Sequence, residues 1–79
     1  MDIKNVLSRS SYSLEELIKC FEIVKENGNV AVIKFDGERT ASQYTVFISF
    51  PSNGRQIIRS DKNTLKEALE DVLRAYIGD

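Results

Sequence analysis

The chain has 79 residues, of which 42% are hydrophobic and 29% charged, a composition typical of one folded domain and not of a disordered or fibrous chain. Eleven basic and twelve acidic residues leave a net charge of −1, which excludes a strong overall field for attracting nucleic acid or an anionic membrane. The chain contains no histidine and one cysteine, Cys20, which excludes an internal disulfide and a Cys/His zinc site.

Residues 1–12 are predicted to form an N-terminal arm that is mobile or loosely packed, because they end in a polar stretch at residues 8–12. Its apolar residues Ile3, Val6 and Leu7 are expected to dock on a neighbour. They form no apolar run long enough for a signal peptide or a membrane span. A soluble, cytoplasmic protein is therefore expected, and the single cysteine fits that reducing compartment.

A single domain is predicted over residues 13–79, and it begins with a helix. Ser13 and Glu16 have the spacing of a capping box. The residues that follow recur at helical spacing and predict one buried stripe, made of Leu14, Leu17, Ile18, Phe21 and Val24. The helix is expected to end at residues 27–29, where Gly28 can adopt the left-handed conformation.

The first strand is predicted at Val30–Phe35, which is rich in β-branched and aromatic residues and precedes the turn signal Asp36-Gly37. Both alternations of this strand are apolar. The pattern therefore leaves open which face is buried, the one with Val30, Val32 and Lys34 or the one with Ala31, Ile33 and Phe35.

Two further strands are predicted, at residues 43–50 and 55–60, with a Pro-Ser-Asn-Gly turn at residues 51–54 between them. Strict alternation in the first of these strands assigns one face to the core, with Tyr44, Val46, Ile48 and Phe50, and leaves Thr45 and Phe47 on the other face.

The last helix is predicted to begin at Thr64, because Thr64 and Glu67 repeat the capping-box spacing. Its apolar stripe consists of Leu65, Ala68, Leu69, Val72 and Tyr76, with Leu73 at the margin. Gly78 is expected to end it.

These elements define the α+β class, with the order α-β-β-β-α. Short turns between consecutive strands predict a three-stranded antiparallel meander with two helices packed on one face. The other face is left open, and we expect it to be an interface with a second copy or a protein partner. The residues predicted for this interface are Val30, Val32, Lys34, Thr45 and Phe47. A surface with scattered apolar residues and no partner is the alternative.

Residue types that could carry out catalysis are few and not paired in any spacing that indicates a shared site. Cys20 is interpreted as a half-buried structural thiol, and Asp36-Gly37-Glu38 as a turn and not a cation loop. No glycine-rich phosphate loop is present. We therefore expect no enzyme activity, no cofactor, no metal and no small-molecule substrate.

The element order is shared with double-stranded-RNA-binding domains, an analogy of topology alone. Such domains carry a basic cluster at the start of the second helix, whereas residues 61–67 here alternate lysines with acids. A modest nucleic-acid patch is nevertheless predicted at one end of the third strand, made of Arg55, Arg59, Lys62 and Lys66. A nucleic-acid-binding module is therefore the alternative function.

The leading hypothesis is a small, non-enzymatic protein–protein interaction module that forms a homodimer or binds a protein partner. It would act by occupying a partner's surface and not by turning over a substrate. Small, slightly acidic chains of this class are frequent among phage and mobile-element accessory proteins, including inhibitors, so such a role is the expected setting.

Overall fold

The structure is a computed structural model that describes residues 2–78. Its elements, in chain order, are the helix α1 at Ile3–Leu7, the helix α2 at Leu14–Glu26, the strand β1 at Val30–Phe35, the strand β2 at Tyr44–Ser49, the strand β3 at Ile58–Lys62 and the helix α3 at Leu65–Tyr76. The predicted α+β class and its α-β-β-β-α order are confirmed, with the short helix α1 added in front. Over residues 2–78, no helix is both long and apolar enough to cross a membrane.

Both long helices begin at the residues that the capping-box spacing predicts. The Ser13 hydroxyl accepts a hydrogen bond from the Glu16 amide at 3.1 Å, and the Glu16 carboxylate accepts one from the Ser13 amide at 3.0 Å. The Thr64 hydroxyl accepts from the Glu67 amide at 3.2 Å and donates to the Glu67 carboxylate at 2.8 Å. The three bonds from the Glu16, Ser13 and Glu67 amides satisfy donors that have no partner within the helix, so local sequence determines both start points.

The three strands form one antiparallel sheet in the order β1-β2-β3. Ala31 lies opposite Ile48 and Ile33 opposite Val46, and these side chains belong to the core beneath the helices. The first strand therefore turns Ala31, Ile33 and Phe35 toward the helix side. Val30, Val32 and Lys34 lie on the open face, which settles the alternative that the sequence left open.

Residues 3–7 form a short helix that contributes to the core and is not a loosely packed arm. In α1, Asp2 caps the first turn by accepting from the Asn5 amide at 2.7 Å. Ile3, Val6 and Leu7 are all buried, and α1 packs against both α2 and α3. Three apolar side chains on one side of a five-residue helix are enough to attach it to the domain, because a small core gains from each buried side chain.

The third strand lies further along the chain than predicted. It occupies Ile58–Lys62 and not residues 55–60, so Asp61 and Lys62 belong to the strand and not to the approach to the last helix. Thr45 pairs with Asp61, and Tyr44 pairs with Lys62. The cause is pairing with β2, a contact between distant residues that outweighs the weak strand propensity of aspartate and lysine.

Candidate interaction surface

The open face of the sheet has an apolar end and a charged end. At the apolar end lie Val30 and, two residues further along β1, Val32 with Phe47 opposite it on β2. By alternation with the core-packed Ile58, Ile57 projects on this same face just before β3, and 62% of it is exposed. Within residues 2–78, α2 and α3 pack on the other side of the sheet and leave these side chains uncovered.

At the charged end of the open face, Asp61 gathers three donors. Arg59 donates to it at 3.1 Å, Arg39 donates at 3.0 Å, and the Thr45 hydroxyl donates a further hydrogen bond. The bonds from Arg59, then those from Thr45 and Arg39, hold the pKa of the Asp61 carboxyl well below its usual range. Asp61 is thus an ionised acceptor whose partners are already in place.

Asp36 extends this ionic network toward the β1–β2 loop. Its carboxylate lies 3.2 Å from Arg39 Nε and 3.4 Å from Lys34 Nζ. The hydrogen bond from the Glu38 amide, followed by the Lys34 side chain, lowers the pKa of Asp36. Lys34, predicted as a contact residue, is therefore on the expected face with its charge already paired.

Thr45 differs from the prediction in its accessibility. It lies on the open face, as expected, but only 3% of it is exposed. Its hydroxyl donates to the Asp61 carboxylate, which also accepts a hydrogen bond from Arg39. Thr45 therefore stabilises the ionic network through its hydrogen bond to Asp61. Of the five predicted interface residues, it is the one too buried for a partner to contact.

The exposed apolar side chains concentrate around β1. Among residues 2–78, six large hydrophobic side chains are exposed, and five of them form what we call the β1 surface: Leu14, Ile18, Val30, Val32 and Phe35. Their exposed fractions run from 37% for Val32 to 67% for Phe35. The sixth, Ile57, lies near the opposite edge of the sheet.

Leu14 and Ile18 were assigned to the buried stripe of α2, and the structure corrects this. The buried positions are Leu17, Cys20, Phe21 and Val24. Leu14 and Ile18 are 40% and 43% exposed. A groove between α2 and β1 is lined by Ile18, Phe21, Glu22, Lys25, Asn29, Val30 and Ala31. The sequence signal for this exposure was the width of the apolar stripe of α2, which a three-stranded sheet cannot cover completely.

The free edge of β1 carries unpaired backbone groups. The Asp36 amide donates to the Gln43 carbonyl at 2.8 Å, which identifies this pair as hydrogen-bonded. Since hydrogen-bonded pairs alternate along an antiparallel ladder, Val30, Val32 and Lys34 also direct their N–H and C=O groups toward β2. The N–H and C=O groups of Ala31, Ile33 and Phe35 therefore point outward, where β1 has no neighbouring strand.

The four residues predicted as a nucleic-acid patch are not brought together. Arg55 donates to the Ala75 carbonyl at 3.0 Å, at the C-terminal end of α3. Lys66 belongs to the first turn of α3, and its ammonium group lies over the Tyr12 ring. These sites are about 14 Å apart along the helix axis. Arg59 is on the open face, and Lys62, three positions later in the same strand, is on the helix side.

Cys20 is more deeply placed than the half-buried position expected. It is fully buried between α2 and the core, and desolvation raises the pKa of its thiol. Over residues 2–78, no group of three or more Asp, Glu, Cys or His side chains is placed to hold a metal ion. Comparison of the chain with models of protein families, with curated proteins and with solved structures finds no match.

Proposed function

We propose that this protein is a non-enzymatic protein–protein interaction module that self-associates through the β1 surface. The observation that carries the proposal is the position of Leu14, Ile18, Val30, Val32 and Phe35 around one strand edge. Single exposed apolar residues are normal on a protein surface, but five of them around one strand edge favour a contact site.

The charges next to this surface favour association with a second copy. Glu22 and Lys25, which line the groove, form an ion pair at 2.7 Å. Lys34, the one charged residue of β1, is paired with Asp36. Because each of these cations has its own anion, two copies can approach without like-charge repulsion.

The wider setting is a further part of the proposal. We place the module among cytoplasmic accessory or inhibitor proteins of the kind found in phages and mobile elements, which act by covering a partner's surface. Small size, slight acidity and the free buried thiol Cys20 support this setting.

Solution mass tests the proposal directly. Light scattering over a dilution series should show a wild-type dimer that dissociates on dilution. Ile18→Glu should be monomeric at concentrations where the wild type is dimeric, because it places a charge in the contact. Ile57→Glu is the matched control, since it changes another exposed isoleucine, outside the β1 surface, and should remain dimeric. A wild type that is monomeric throughout the series would overturn self-association.

A further inference from the structure

We propose that β1 pairs with β1 of a second copy in antiparallel orientation, so that the dimer contains one continuous six-stranded sheet. The inference rests on the proposed function, because it specifies how the β1 surface associates. The pairing would be made by the backbone groups of Ala31, Ile33 and Phe35, which point away from β2.

The first argument is that the β1 edge lacks protection. Edge strands usually carry charges, proline or bulges that prevent another strand from adding to them. β1 is six residues long, contains no proline or glycine, and has one charged residue, Lys34. A regular, mostly apolar strand with a row of unpaired N–H and C=O groups is suited to strand addition.

The opposite edge of the sheet provides the contrast. Three of the five residues of β3 are charged, namely Arg59, Asp61 and Lys62. Adding a strand there would bring new side chains against these charges and the ionic network of Asp61. Only β1 is therefore suited to continue the sheet.

The groove between α2 and β1 borders the place where an added strand would lie. Ile18 lines this groove, and Leu14, one turn earlier on the same side of α2, is also exposed. A strand added to β1 would turn alternate side chains toward this side of α2 and the others toward the open face beside Val30 and Val32. Both sides of the added strand would thus meet apolar side chains that are now exposed.

A second copy of this chain fits the site better than an unrelated strand does. Two identical β1 edges are related by a two-fold axis normal to the sheet, which leaves the helices of both copies on the same side. Each copy then contributes its own α2 flank to cover the other's β1. The two contacts are therefore equivalent, and every exposed apolar residue of the β1 surface is used.

The area agrees with a dimer of modest stability. The five side chains of the β1 surface expose on the order of 400 Å² per copy, about half of the roughly 800 Å² per partner in stable complexes. The strand backbone and the ion-paired side chains at the rim, Glu22, Lys25 and Lys34, would provide the remainder. An interface of this size should dissociate on dilution.

The register of the β1–β1 pairing follows from the residues whose N–H and C=O groups point away from β2. Placing Ile33 on the two-fold axis lets Ala31 of each copy pair with Phe35 of the other, so all three outward residues form hydrogen bonds. Val32 of one copy then faces Lys34 of the other in a non-hydrogen-bonded pair, with Cα atoms about 4.5 Å apart. That separation lies within the range that a disulfide spans.

The main test removes a backbone N–H that points away from β2 and keeps every N–H that forms a hydrogen bond within the monomer. Ala31→Pro does this, because proline is tolerated on an edge strand where its missing N–H faces solvent. Light scattering should show Ala31→Pro as a monomer with a wild-type circular dichroism spectrum. Phe47→Asp, on the open face and away from the edge, is the matched control and should remain a dimer.

Cross-linking provides a second measurement if Ala31→Pro fails to fold. Val32→Cys and Lys34→Cys chains, mixed and oxidised, should give a disulfide dimer in far higher yield than either chain alone. Ile57→Cys mixed with Lys34→Cys should give none. Absence of the first cross-link would overturn the strand pairing.

The outcomes separate this inference from the proposed function. If Ile18→Glu is monomeric but folded Ala31→Pro is dimeric, the β1 surface associates without strand pairing, and only the further inference fails. If Phe47→Asp is monomeric and Ala31→Pro dimeric, the open faces pack together and strand pairing is excluded. If the wild type is a monomer, both fail.

Discussion

The hydroxyl of Thr45 donates a hydrogen bond to the carboxylate of Asp61 and joins β2 to β3 on the open face of the sheet. Arg59 and Arg39 complete the shell of donors around the same carboxylate. The charged end of the open face is therefore a structural network, whereas the apolar residues around β1 remain 37–67% exposed. This difference separates the part of the surface that stabilises the monomer from the part available for association.

The first prediction concerns acid stability. Because the folded-state pKa of Asp61 lies below its ordinary value of 3.8, the ionised carboxylate favours folding. This contribution is fully present above about pH 5 and is lost as pH falls toward about 2. Asp61→Asn should therefore be less stable than the wild type at pH 7, and the difference should shrink at low pH. Urea denaturation across this pH range measures it.

Asp71→Asn is the control for this experiment, because Asp71 is exposed on α3 and has no ion-pair partner within 4 Å among residues 2–78. Its curve of unfolding free energy against pH should follow the wild type. A difference between Asp61→Asn and the wild type that stays constant from pH 7 to about 2 would contradict the assigned role of Asp61.

The second prediction concerns α1. Leu7 is buried between α1 and the two long helices, so Leu7→Ala should lower the free energy of unfolding by about 2–5 kcal/mol. Lys4→Ala changes an exposed residue of the same helix and should have an effect of less than about 0.5 kcal/mol. Chemical denaturation of both variants tests whether the first residues belong to the core. Equal, small effects would indicate an arm that does not contribute to stability.

The third prediction concerns nucleic acid. Since Arg55, Arg59, Lys62 and Lys66 are dispersed, binding to an RNA duplex should stay in the non-specific range, with a Kd of about 10⁻⁴ to 10⁻⁶ M at physiological salt. The double variant Arg59→Glu with Lys62→Glu should change this Kd by less than about tenfold, because neither residue belongs to a shared patch. Fluorescence anisotropy at several salt concentrations provides the measurement. Tight binding abolished by the double variant would favour the alternative function.

Sequence reasoning located the elements whose causes are local. The Ser13 and Thr64 caps determine two helix starts from a few neighbouring residues, and the alternation around Val46 and Ile48 marks a core strand. These signals depend on backbone groups and side chains within one turn or one strand. For that reason they could be recognised without knowing the fold.

The features that sequence reasoning missed depend on contacts between distant residues. Asp61 enters β3 because Thr45 and Arg39 provide its partners across the sheet. The choice of face in β1, and the exposure of Ile18, depend on where α2 lies relative to the sheet edge. A short window of sequence encodes neither feature. The sequence therefore predicted an interface at the centre of the open face, whereas the structure places the candidate surface at the edge of the sheet, at β1.

The last prediction concerns Arg55, which sequence reasoning assigned to nucleic acid and the structure places against α3. Its guanidinium carbon lies 4.7 Å from the centroid of the Phe50 ring, which stacks on Tyr76 at 6.0 Å. It also donates to the carbonyls of Ala75 and Tyr76, at 3.0 and 3.2 Å. Arg55 therefore neutralises the last carbonyls of α3 and packs on an aromatic pair.

Arg55→Ala should accordingly lower the free energy of unfolding by about 1 kcal/mol, since it removes a cation–π contact and two bonds to helix-terminal carbonyls. Arg55→Lys should restore only part of this loss, because an ammonium group cannot reach both carbonyls while lying flat on the ring. Gln56→Ala, at the exposed neighbouring position, is the control and should match the wild type in thermal denaturation. If Arg55→Lys were as stable as the wild type, charge alone would account for the effect, and the planar contact with Phe50 would contribute nothing.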